Sequence, residues 1–71
     1  MNLYIKVGSI TNAQRGQRLL RSKGYRPQIK KNDRPERSDG CGYALEVYGR
    51  ENEIIKILED NRIEIRGVEV L

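Results

Sequence analysis

Leu3, Ile5 and Val7 alternate with Tyr4 and Lys6, a two-residue period that predicts a half-buried strand with its apolar side on a core. Gly8 and Ser9 break the pattern. Thr11 followed by Gln14 reads as a capping box and predicts a helix from Thr11 to Lys23, with Ala13, Gly16, Leu19 and Leu20 inward. Glycine at position 16 costs on the order of 1 kcal/mol against alanine, which close packing on a sheet would offset. Lys23-Gly24 reads as a cationic last turn followed by a C′ glycine.

Tyr25 to Lys30 reads as a second strand, with Tyr25, Pro27 and Ile29 on one side. Pro27 lacks an N–H for a ladder, so the strand is expected at a sheet edge. Residues 31–40 hold no aliphatic side chain and predict a mobile, polar loop. Tyr43, Leu45 and Val47 alternate with Ala44, Glu46 and Tyr48 as a third strand, which Gly49 ends. A second helix follows from Glu51 to about Asn61, with Ile54, Ile55 and Leu58 inward and acids in its first turn. Ile63 and Ile65 open the last strand, and parity shifts to Val68 and Val70 across Arg66-Gly67, predicting a bulge or bend. The order strand, helix, strand, strand, helix, strand predicts one α+β domain over residues 1–71. The expected form is a ferredoxin-like βαββαβ fold, a four-stranded antiparallel sheet of order 4-1-3-2 with two helices on one face.

At 71 residues and 34% charged, the chain supports a thin core only because its apolar positions are grouped into periodic runs. No apolar run approaches the roughly 20 residues of a membrane span, so no membrane partner is expected. Met1 leads into a strand pattern and not into a basic-then-apolar leader. With no histidine and one cysteine, one chain can build neither a zinc site nor a histidine-based triad nor an internal disulfide. A reducing cytoplasm is the expected location, and no cofactor or metal is expected.

Charge is uneven along the chain. Residues 1–37 carry ten basic and two acidic side chains, net +8, and residues 38–71 carry four basic and eight acidic ones, net −4. The basic half fits an anionic partner. Arg15, Arg18 and Arg21, at helical spacing, equally fit a solvated stripe.

The expected topology puts the start of strand three, at Cys41, beside the opening of the first helix at Gly8, Ser9 and Thr11. Free amides and the helix dipole there favour a thiolate. Arg34 and Arg37 would add to this and Asp39 would oppose it; Gly40 and Gly42 would leave the sulfur open to a partner. The competing reading is a buried, inert cysteine, since Cys41 shares parity with Leu45 and Val47.

Gly8-Ser9, Ala13 and Leu20, then a Pro–Arg loop running into Cys41-Gly42-Tyr43-Ala44-Leu45, resemble the small selenium/sulfur carrier-like domains of unknown function, over roughly residues 3–70. The resemblance implies a ferredoxin-like fold and sulfur or selenium handling, with Cys41 as carrier thiol, Gly42 beside it, and a sulfur or selenium donor or acceptor protein as partner. Only Pro35 lies between Ile29 and Cys41, where the family holds more than one proline, and a Cys-Pro motif is absent.

The alternative is an anion or nucleic-acid binding module. Its outer sheet face would show Tyr4, Lys6, Arg26, Gln28, Lys30, Ala44, Glu46 and Tyr48, with Tyr4 and Tyr48 as cross-strand neighbours and Arg34 and Arg37 nearby. Strands one and three echo RNA-recognition signatures, but that register would turn Tyr43 and Leu45 outward and bury Glu46. A conventional enzyme is disfavoured: Glu51 with Glu53 and Glu59 with Asp60 sit on a helix, and Gly40-Cys41-Gly42 precedes a strand and is no P-loop. A homodimer through an edge strand or exposed helices stays open.

Overall fold

The computed structural model describes residues 1–32 and 42–71. The elements run β1 (Asn2–Lys6), α1 (Ile10–Ser22), β2 (Gln28–Asn32), β3 (Gly42–Tyr48), α2 (Glu51–Asp60) and β4 (Gly67–Val70). The four strands form one antiparallel sheet in the order β2-β3-β1-β4, which counted from the opposite edge is β4-β1-β3-β2. Leu3 opposes Val47 and Val70, and Ile5 opposes Leu45 and Val68, so the apolar positions share one face. Leu3, Ile5, Val7, Leu45 and Val47 join Ala13, Leu20, Ile54, Leu58 and Ile63 in one buried cluster. Both helices therefore cover the same face of the sheet. The register that would turn Leu45 outward is excluded, because Leu45 is fully buried.

Gly16 sits where α1 packs closely on β3 and α2. A Cβ there would lie 2.6 Å from a Leu45 methyl and 3.2 Å from a Leu58 methyl. The mid-helix glycine thus trades intrinsic helix stability for close packing of α1 on β3 and α2.

Several boundaries differ from the sequence reading. The N-cap of α1 is Ser9, whose Oγ accepts the Asn12 N–H at 3.1 Å; Thr11 lies inside the first turn and makes no capping box. Gly8, at φ +84°, turns the chain so that Ser9 rather than Thr11 meets the first free amides. Pro27 precedes β2 instead of lying within it, and Lys31 and Asn32 belong to the strand and not to the loop. β2 is nonetheless an edge strand. Ile55 is only half-buried, while Ile57 packs against the core.

The largest difference is at Ile63. It does not open β4. Its N–H bonds the Leu58 carbonyl at 3.0 Å while the Arg62 N–H bonds that of Glu59 at 3.0 Å, closing α2 in a Schellman motif. The same motif closes α1: Tyr25 N–H to Leu20 at 2.9 Å and Gly24 N–H to Arg21 at 3.1 Å. Gly24 takes the left-handed position at φ +94° in α1, and Arg62 takes it at φ +61° in α2. Ile63 is the buried apolar anchor after the cap, and the bend expected at Arg66-Gly67 is the entry into a shorter β4.

Candidate functional site

The expected outer sheet face is built, but its charges are spent on each other. Tyr4 opposes Glu46 on β3 and Glu69 on β4, so two carboxylates flank it. Lys6 Nζ pairs with Glu69 Oε2 at 3.1 Å. Asn2 Nδ2 donates to Glu46 Oε2 at 3.4 Å. Tyr48 opposes Asn2 and not Tyr4, so the two rings are diagonal instead of direct partners. Arg26 precedes β2 and lies off the ladder. The centre of this face therefore does not attract an anion, because Lys6 is paired with Glu69 and Glu46 adds a second carboxylate beside Tyr4.

Cations without acidic partners gather elsewhere. Arg18, Arg21, Lys23, Arg26, Lys30 and Lys31 are exposed, and none forms an ion pair among the described residues. The helix end explains the grouping. Gly24 reverses the chain directly after α1, and the Gln17 side-chain amide donates to the Pro27 carbonyl at 3.3 Å, holding the return segment along the helix. Arg21 and Arg26 thereby line one open depression with Gly24, Tyr25, Pro27 and Gln28. Arg18 sits one turn before Arg21 on α1, and Lys30 continues outward along β2. The result is a cationic belt from the last turns of α1 around the β2 edge. Arg15 is not part of it: its Nη2 donates to the Asn61 carbonyl at 2.9 Å and caps the end of α2.

Tyr25 braces the floor of the belt. Its hydroxyl donates to Glu53 Oε1 at 2.7 Å. That bond, with a smaller contribution from desolvation, holds the phenol above the ordinary value of 10.0. The Tyr25 ring also lies against Gly49, where a Cβ would come within 2.5 Å of Cε1. Residues 25 and 26 are thus fixed beside residues 48 and 49.

At the opposite end of β3, the Val7 N–H bonds the Tyr43 carbonyl at 2.9 Å, which places Gly42 near the entry to α1. Ser9 Oγ is already engaged as the N-cap, and Thr11 is exposed. The Arg66 guanidinium covers Gly8, its Nε 2.8 Å from where a Cβ would stand. Cys41, Arg34 and Arg37 lie outside the described residues. No group of three metal-ligating side chains occurs among the described residues, and no described helix is long and apolar enough to cross a membrane.

Compared with known proteins, the chain matches no family model, no curated protein and no solved structure.

Sequence reasoning named Arg26 and Lys30 as candidate site residues, weighed Arg18 and Arg21 as a solvated stripe, and placed Lys23 as the cationic last turn of α1. The signal was Gly24: a C′ glycine between Arg21 and Arg26 reverses the chain so that both residues line one depression.

Proposed function

We propose that the domain is a polyanion-binding module whose contact surface is the belt of Arg18, Arg21, Arg26 and Lys30. The observation that carries this reading is that Arg21 and Arg26 line one depression with no acidic lining residue among the described residues. Two guanidiniums present a fork of donors suited to phosphate or carboxylate oxygens. The fold assumed is ferredoxin-like, supported by β1 and β2 both running antiparallel to the β3 between them. The test is binding of a fluorescent polyphosphate chain at low salt, followed by salt titration. Binding that weakens with salt and drops in an Arg21→Gln/Arg26→Gln variant is expected. No binding at low salt by the unmodified chain overturns the proposal.

A second reading keeps Cys41 as a carrier thiol for sulfur or selenium, exchanged with a donor or acceptor protein. It is favoured by the nearness of Gly42 to the entry of α1, where the helix dipole is positive, although the Arg66 guanidinium over Gly8 is paired with Glu64 at 3.6 Å. Its test is the pH dependence of Cys41 alkylation. An apparent pKa clearly below about 8.5 supports a poised thiol, and a normal or raised value removes the reading.

A further inference from the structure

The four tyrosines of the chain have four different surroundings. Tyr25 is hydrogen-bonded to Glu53. Tyr43 packs against the core. Tyr4 is half-buried between Glu46 and Glu69. Tyr48 alone is open, at 74% exposure, on the outer face at the last position of β3. Its hydroxyl has no hydrogen-bond partner among the described residues, and its cross-strand neighbour is the uncharged Asn2.

The position of Tyr48 relative to the belt makes it more than a stray surface ring. Gln28 opposes Glu46, so the chain just before β2 runs alongside the end of β3. The contact of the Tyr25 ring with Gly49 fixes the same alignment independently. Arg26, next after Tyr25, therefore stands at the level of Tyr48. An open aromatic ring thus stands at the level of Arg26, which lines a depression with Arg21, and neither guanidinium forms an ion pair among the described residues. A phosphate and a flat heteroaromatic group, joined at the short reach of one nucleotide, match that pairing.

Resting on the polyanion reading above, we propose that the partner is a single-stranded nucleic acid, with Tyr48 stacking a base and Arg21 and Arg26 holding its phosphates. Duplex bases are already stacked on each other and offer no face to a ring on a flat sheet. Single strands offer one, and aromatic platforms take them with little regard to sequence. Tyr4 is excluded as a second platform by the carboxylates on both sides of it.

Binding is read by fluorescence anisotropy with the whole chain at low salt, against a mixed-sequence single-stranded oligonucleotide, its duplex and a polyphosphate chain. Tyr48→Ala is expected to weaken single-strand binding by roughly 5- to 100-fold and to leave polyphosphate binding within about twofold. Tyr48→Phe, which keeps the ring, restores single-strand binding. Arg21→Gln/Arg26→Gln weakens both probes. If Tyr48→Ala binds the single strand as tightly as the unmodified chain, or if the duplex binds as tightly as the single strand, the inference is overturned while polyphosphate binding preserves the broader reading. If the unmodified chain binds none of the three, both fall.

Discussion

Ser9 and Thr11 separate two ways of starting α1, and one pair of substitutions decides between them. Ser9 is the residue whose oxygen meets a free amide, so Ser9→Ala should cost about 1 kcal/mol in urea unfolding, while Thr11→Ala should change stability by only a few tenths. Arg62 offers the converse case. It is the non-glycine residue in a left-handed position among the described residues, at φ +61°, and Arg62→Gly should raise stability by about 1 kcal/mol, read as a higher unfolding midpoint with unchanged slope. Gly16 was legible from sequence as a packing glycine because a helix interior seldom tolerates one without reason. Its substitution tests the packing. Gly16→Ala gains roughly 1 kcal/mol of helix propensity but presses into Leu45 and Leu58, at an overpacking cost of about 1–3 kcal/mol. A net loss of stability is expected, and a gain would show that the contact yields. Ile63 was not legible. Its alternation with Ile65 mimics a strand, and no glycine marks the left-handed residue before it, so the buried anchor of a helix cap was read as β-structure.

Among the elements, α1 and α2 were legible from their apolar stripes and the strands from their alternation, because both periods are set by one shared core. Strand ends were less legible. Pro27 marked an edge strand correctly but sits before it, since a residue without an N–H terminates a ladder as readily as it borders one. The candidate site was least legible, because Lys6 and Glu69 meet only when β1 and β4 pair, and Arg21 and Arg26 only when Gly24 turns the chain. Tyr25 and Glu53 join the segment before β2 to α2, and their bond gives a pH signature. The phenol's pKa is raised in the fold, so the protonated form is favoured there; the stabilisation is complete below the ordinary value of 10.0 and lost as pH rises through the higher folded value. A tyrosinate absorbance titration should therefore show one of the tyrosines titrating late. Tyr25→Phe should remove that late component, and its persistence would assign the shift elsewhere.

At the scale of the whole molecule, the belt predicts a salt dependence. If Arg18, Arg21, Arg26 and Lys30 each neutralise one phosphate, the logarithm of single-strand affinity should fall against the logarithm of salt with a slope of about −3. A slope near zero would mean that the cations stay solvated. The net charge of +4 understates this surface, because all ten acids that reduce it lie outside α1, four of them on α2 at Glu51, Glu53, Glu59 and Asp60. Helices of opposite sign lie against one core, and that gives the domain an electrical polarity. If a long anion is the partner, one helix repels it and the other attracts it, so its approach is biased before any contact forms. An approach with the β2 rim leading would then be the favoured one.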